Sequence, residues 1–160
     1  SLLLVTEGIR LRGGVVRAQS FPLERLVDLA PSFGLRGTAD GVYRFGAREA
    51  LELTLTRGAL RLRVPVAFEL AFAQLVVAAV RERDGGWRVE LADLTGPPLS
   101  ARATGRISAD GGLAFEFEIT RLEDPAREAF AMAGLPTGPT PFRVQVGGTL
   151  EAPTFSPLAR

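Results

Sequence analysis

Two glutamates, Glu116 and Glu118, are the side chains of this sequence whose spacing best suits acid–base chemistry. A pair of carboxylates on one face is the minimum that a glycosidase needs, with one acting as the acid and the other as base or nucleophile. Apolar residues alternate with both glutamates, which is typical of the solvent-facing side of a strand. We therefore interpret the pair as a solvated outer surface.

The composition gives no support to nucleophilic catalysis. The chain of 160 residues contains neither Cys nor His, and all 19 of its basic residues are Arg. Several serines consequently lack a His or Lys that could activate them: Ser20, Ser32, Ser100, Ser108 and Ser156. The same absences remove imidazole acid–base chemistry and the usual Cys/His zinc sites. We expect no enzymatic activity and no cofactor.

Charge and hydropathy narrow the class of protein further. The formal net charge is +1, so the chain lacks the positive excess that nucleic-acid binding requires. Hydrophobic residues make up 46% of the chain, which is typical of a folded domain, and we expect one β-rich domain over residues 1–160. The longest apolar run, 64–80, is shorter than the roughly 20 residues that span a bilayer. Because the chain begins at Ser1 without Met, we expect a fragment of a longer protein or a mature chain whose leader has been removed.

Alternation of apolar and polar residues dominates the chain and predicts strands. Residues 51–55 and 60–64 both alternate, and the turn signal Arg57–Gly58 between them predicts an antiparallel hairpin in which Arg61 and Arg63 face Glu52. Further strands are predicted at 9–12, 15–19, 35–45, 87–91, 99–107, 113–119 and 142–146. About ten strands with frequent turns indicate a mainly β, antiparallel meander.

Three segments depart from simple alternation. Residues 66–83 alternate at first but are apolar at every position from 75 to 80. This fits either two buried strands or an Ala-rich helix, and we favour two strands because the flanking strands form a meander. Residues 22–30 and 124–134 have the apolar spacing of short helices. Asp124 is the expected N-cap of the second helix, and Gly134 is its expected C-terminal stop.

A sheet with one apolar face must cover that face. It can close on itself, pack as a sandwich, or curve into a groove for an apolar ligand. Such a face suits acyl chains, because a polar small molecule requires convergent hydrogen-bonding groups. The residues predicted to line this groove, or to form a packed core, are Leu51, Leu53, Leu55, Leu60, Leu62, Val64, Phe68, Leu70, Phe72, Leu113, Phe115 and Phe117.

Three motifs combine Gly or Pro with apolar residues: Phe-Pro-Leu-Glu-Arg-Leu at 21–26, Leu-Arg-Gly-Thr-Ala-Asp-Gly at 35–41 and Gly-Thr-Leu-Glu-Ala-Pro at 148–153. These motifs resemble those of AsmA/TamB-like envelope proteins. Gly-Pro-Pro-Leu at 96–99, followed by Ala-Thr-Gly-Arg-Ile at 103–107, also looks like the N component of type II secretion systems, a related β-rich envelope family.

This resemblance implies a taco-like grooved sheet on the periplasmic side of a diderm envelope, with a membrane anchor outside this fragment. It implies phospholipid or acyl chains as ligands, and a role in phospholipid transport between membranes or in outer-membrane assembly. The alternative is a β-sandwich interaction module of a secretion or pilus machine. Such a module would dock other envelope proteins through edge strands, for which 35–45 and 142–146 are the candidates.

Overall fold

The computed structural model describes residues 13–22, 33–62 and 67–158. These ranges contain nine β-strands and one α-helix: β1 (Gly14–Pro22), β2 (Phe33–Phe45), β3 (Ala50–Leu62), β4 (Phe68–Arg81), β5 (Trp87–Thr95), β6 (Leu99–Ile107), β7 (Leu113–Leu122), α1 (Asp124–Met132), β8 (Phe142–Gly148) and β9 (Pro153–Pro157). All strands belong to one open sheet in the order β1 to β9, and each pairs antiparallel with its neighbours.

The prediction of a mainly β, antiparallel meander is confirmed. The sandwich alternative is wrong for the described part of the chain, since its strands form a single sheet and not two packed sheets. The predicted strand at 9–12 lies outside the described residues. The predicted helix at 22–30 does so as well, apart from Pro22, which ends β1.

β3 overturns the predicted hairpin. Residues 51–55 and 60–62 belong to one continuous strand, and its pairing with β2 shifts where Arg57 and Gly58 oppose the single residue Gly37. This extra residue is a β-bulge, and Arg57 has the left-handed φ of +51° there. A bulge shifts the phase of alternation just as a turn does, which explains the error. Arg61 accordingly pairs with Glu69, at 2.9 Å, rather than with Glu52.

The ambiguous segment 66–83 is also a single strand over its described part. β4 runs unbroken from Phe68 to Arg81 between β3 and β5, so both the two-strand prediction and the helical alternative are wrong. The alternation of inward and outward side chains changes phase near Gln74. Phe72 and Leu75 are three positions apart, which strict alternation would place on opposite faces, yet both line the same cavity. A central strand with apolar residues on both faces gives no clear period.

The second predicted helix is confirmed as α1. Its N-cap is Glu123, one residue before the predicted Asp124, and the cap makes no side-chain hydrogen bond. Gly134 has a φ of +69° just beyond the helix, and the Leu135 amide then donates to the Phe130 carbonyl at 2.8 Å. Glycine tolerates this left-handed conformation, so the predicted stop is correct.

α1 covers part of one face of the sheet. Ala126 and Phe130 are buried in a cluster with residues of β4, β6, β7 and β8. Arg127 donates hydrogen bonds to the carbonyl oxygens of Leu122, at 3.0 Å, and Thr137, at 2.9 Å, and thereby ties the helix to the loop that follows it. Within the described ranges, no helix is both long enough and apolar enough to cross a bilayer.

The opposite face of the sheet carries ion pairs between neighbouring strands. Arg44 pairs with Glu52 at 2.6 Å, and Arg102 pairs with Asp93 at 3.2 Å. Arg36 joins Arg61 at the carboxylate of Glu69. Exposed pairs of this kind contribute about 0–1 kcal/mol each to the free energy of unfolding. They therefore mark this face as solvent-exposed but add little to stability.

Candidate functional site

The strand register aligns apolar side chains from all nine strands on one common face. Residues directly opposite one another in a ladder share a face, and three rows of such residues can be followed across the sheet. The first is Ala18, Gly41, Leu53, Val77, Ala92, Ala103, Phe117, Val144 and Pro157. The second is Val16, Tyr43, Leu51, Ala79, Val89, Gly105, Phe115, Val146 and Phe155. The third is Phe21, Ala39, Leu55, Leu75, Leu94, Ala101, Ile119 and Phe142.

These three rows define the inner face of the sheet. The hydroxyl of Tyr43 is the one polar side-chain group among them. On the outer face, the intervening positions of β7 and β8 carry Glu116, Glu118 and Arg143. Apart from the Tyr43 hydroxyl, the three rows consist of hydrocarbon side chains and glycine from one edge of the described sheet to the other.

The sheet curves around this inner face. Leu35 in β2 and Phe155 in β9 line the same cavity, whose volume is about 310 Å³. In a flat sheet these strands would lie seven spacings apart, or about 34 Å. The cavity is lined only by Ala, Val, Leu, Ile, Phe and Pro among the described residues, and Phe130 and Leu135 close it on the side of α1.

Four of the residues predicted as groove lining lie on this cavity: Leu60, Leu70, Phe72 and Phe117. Two more, Leu53 and Leu55, pack beside it in a cluster with Ala39 and Phe72, in which Leu55 is fully buried.

The remaining predicted residues lie away from the cavity or outside the described part. Leu113 and Phe115 pack, partly buried, against the cluster next to α1, and Leu51 lies half-buried in the row of Tyr43. Leu62 and Phe68 oppose each other at the ends of β3 and β4, but their side chains are outside the described part of the chain, as is all of Val64.

The prediction missed several large apolar strand residues that line the cavity, and it missed two further kinds of lining residue. Ala92, Ala101 and Ala103 contribute small side chains that leave room for the cavity, whereas the prediction counted only large apolar residues. The alternation of small residues along 99–107 was a signal that could have identified two of them. Phe130 and Leu135 reach the cavity only because α1 docks on the sheet, and no local pattern reveals that docking.

The residues considered as candidates for catalysis do not line the cavity. Both Glu116 and Glu118 are on the outer face, where Arg143 approaches their carboxylates at 3.2 and 3.9 Å. The hydroxyl of Ser100 donates to the Gly96 carbonyl at 3.3 Å, which is a contact within a turn. Across ranges 13–22, 33–62 and 67–158, no group of three or more acidic side chains could hold a metal ion.

One end of the inner face carries a polar and aromatic cluster, which we call the rim: Tyr43, Glu49, Arg81 and Trp87. The Tyr43 hydroxyl donates to Oε2 of Glu49 at 3.1 Å, and Nη1 of Arg81 lies 3.6 Å from the same oxygen. The Arg81 guanidinium lies over the Trp87 ring, 5.5 Å from its centroid. Burial, followed by the hydrogen bond and charge of Glu49, raises the pKa of Tyr43 above its ordinary value.

Comparisons with protein-family models, with curated proteins and with solved structures find no match to this chain. The features that bear on its function are therefore the inner face, the cavity enclosed by it, and the rim at one end.

Proposed function

We propose that this chain is a non-enzymatic, lipid-handling segment of a bacterial envelope protein, in which a taco-like sheet holds acyl chains of phospholipid against its inner face. The observation that carries this proposal is the cavity of about 310 Å³ with exclusively apolar lining among the described residues. No hydrogen-bonding side chain from the described ranges lines it. A polar ligand would lose its bonds to water there without replacement.

An alkyl chain matches both the chemistry and the size of this cavity. Each buried methylene gains about 0.8 kcal/mol without needing a polar partner. Small-molecule pockets range over about 300–1,000 Å³, so this cavity is at the lower end. We therefore expect one acyl chain inside it at a time, with the rest of the lipid outside.

The motifs of the sequence support an envelope location. The AsmA/TamB-like segment at 35–41 includes the residue opposite the bulge of β3, and the segment at 148–153 forms the turn between β8 and β9, where Gly148 has a φ of +76°. Both motifs therefore lie where the meander departs from regular strand geometry, at a bulge and at a turn. By this resemblance we place the chain on the periplasmic side, with phospholipid transport between membranes or outer-membrane assembly as its work.

Lipid extraction and native mass spectrometry of the purified chain test the proposal. We expect co-purified phospholipid, and we expect its loss in Ala92→Phe, because Ala92 lines the cavity and a phenyl group fills the space. The matched control is Ala114→Phe, since Ala114 is exposed on β7. A chain that binds no lipid, or that binds equally well in both variants, would contradict the proposal.

Strand-mediated association is a second candidate function. The outermost strands of the described sheet are β1 and β9, and Val15 and Val16 on β1 are 54% and 52% exposed. The segments predicted as edges, 35–45 and 142–146, form β2 and β8, which pair on both sides and offer no free edge. Light scattering of Val15→Pro distinguishes this function, because Val15 pairs with the outer-face residue Arg44 and a proline there should reduce association without removing lipid.

A further inference from the structure

We infer that the rim binds the zwitterionic head group of a phospholipid, with its phosphate at Arg81 and its ammonium group between Glu49 and the rings of Tyr43 and Trp87. This inference rests on the proposed function. It adds the class of the head group and the direction in which the lipid lies, with its acyl chain running from the rim toward α1.

The rim and the cavity belong to one continuous surface. Val77 lines the cavity, Ala79 follows on the same face, and Arg81 is the next residue of that series on β4. Four residues of strand span about 13 Å. An acyl chain therefore passes from the rim into the cavity without meeting another polar side chain of the inner rows.

Curvature brings together the two amphipathic aromatic residues of the chain. Tyr43 and Trp87 are its only Tyr and its only Trp, and they lie on β2 and β5 with two strands between them. Their ring centroids are nevertheless 6.4 Å apart. Rings of this type combine an apolar body with a polar tip, which suits the boundary between hydrocarbon and a hydrated head group.

The charges of the rim favour a zwitterionic ligand. Arg81 and Glu49 together are neutral, and their 3.6 Å separation is longer than a direct hydrogen bond, so both keep bonding capacity. Arginine N–H groups are good donors to phosphate, and a cation is attracted by aromatic faces. A fatty-acid carboxylate or an anionic head group would bind Arg81 but would provide no cation for Glu49. It would also bring a second negative charge close to the Glu49 carboxylate.

Because Trp87 is the single indole of the chain, its fluorescence reports the direction of the lipid. The probes are two phosphatidylcholines that carry bromine, a fluorescence quencher, either near the glycerol or near the terminal methyl of the acyl chain. We expect stronger quenching of Trp87 by the lipid that is brominated near the glycerol.

The outcomes separate this inference from the proposed function. Stronger quenching by methyl-end bromine, or lipid that is bound in native mass spectrometry without quenching, overturns the inference but leaves the groove function standing. If native mass spectrometry detects no bound lipid at all, both fail.

Rim variants test the head-group class. Arg81→Gln should lower the affinity for phosphatidylcholine roughly tenfold, since it removes a charged hydrogen-bond donor. Arg88→Gln is the matched control, because Arg88 is exposed and pairs with Glu90, at 3.0 Å, outside the rim. Glu49→Gln should shift the preference from phosphatidylcholine toward phosphatidylglycerol. Unchanged affinity in Arg81→Gln, with native circular dichroism, would show that the head group does not bind at the rim.

Discussion

Gly58 in β3 lies directly opposite Phe72 in β4, and the phenyl ring covers the glycine. A β-carbon at position 58 would lie 2.4 Å from Cζ of Phe72 and 2.3 Å from the backbone oxygen of Arg36. Arg36 is held by its backbone pairing with β3, and the buried Phe72 could relieve the contact only by shifting its ring into the cavity that it lines. The bulge in β3 therefore depends on the absence of a side chain at this position.

Replacement of this glycine should destabilise the sheet. We expect Gly58→Ala to lower the free energy of unfolding by about 1–3 kcal/mol, because the new methyl group overpacks the contact with Phe72. Urea denaturation measures the change. The matched control is Gly138→Ala, whose β-carbon would meet Phe142 at an ordinary 3.8 Å. Equal stability of the two variants would mean that the contact over Gly58 is not tight.

The packing of the inner face can be tested at its most buried side chain. Leu55 has no exposed surface, and Leu55→Ala should lower the free energy of unfolding by about 2–5 kcal/mol through loss of burial and creation of a void. Glu52→Ala on the exposed side of the same strand should change it by less than about 0.5 kcal/mol. Thermal denaturation of both variants provides the comparison, and similar losses would contradict the assignment of faces.

Arg127 is expected to stabilise the loop after α1. Its guanidinium bonds the carbonyl oxygens of Leu122 and Thr137, so Arg127→Met leaves both acceptors without this donor. We expect a loss of about 1–3 kcal/mol and faster amide exchange in residues 133–138. Arg121→Met removes only the exposed pair with Glu123 and should cost less than about 1 kcal/mol. Unaltered exchange in Arg127→Met would contradict this role.

The raised pKa of Tyr43 predicts that the stability of the folded protein depends on pH in alkaline solution. Burial, followed by Glu49, raises the pKa of its phenol above the ordinary 10.0, so the folded state holds this proton where the unfolded state loses it. The resulting stabilisation is complete below about pH 10 and is lost as the pH rises through the folded-state pKa. Urea midpoints measured across this range should fall more steeply for the wild type than for Tyr43→Phe.

An absorbance titration provides an independent check, because the chain contains a single tyrosine. Tyrosinate formation in the folded protein should begin at higher pH than in urea. In Glu49→Gln the pKa should move back toward its ordinary value, since the variant removes a negative charge that opposes ionisation. A wild-type titration identical in the folded and unfolded states would contradict the rim geometry.

The sequence predicted strands well where alternation is unbroken. Residues 113–119 and 142–146 lie in β7 and β8, and their inward side chains follow the pattern. The errors at 51–64 and 66–83 share one physical cause, which is a change of phase inside a long strand. Periodicity records that change but not whether the chain turns back or continues through a bulge.

The candidate site was predictable only in part. The apolar character of the inner face follows from single-strand patterns, and four of the predicted side chains do line the cavity. The cavity itself depends on curvature and on α1, and the rim depends on residues from β2 and β5 that meet across two intervening strands. Such proximity is set by register and three-dimensional shape, which no local period encodes.

The ion pairs of the outer face are all formed by Arg with Asp or Glu, and this choice of charged residues has a consequence for the pH dependence of ligand release. The chain has neither imidazole nor lysine amine, and carboxylates, phenol and guanidinium ordinarily titrate well outside the span of about pH 6–9. The composition thus offers no side chain whose ordinary pKa lies within that span. On the proposed function, we therefore expect a competing membrane or protein, rather than acidification, to drive release of a bound lipid.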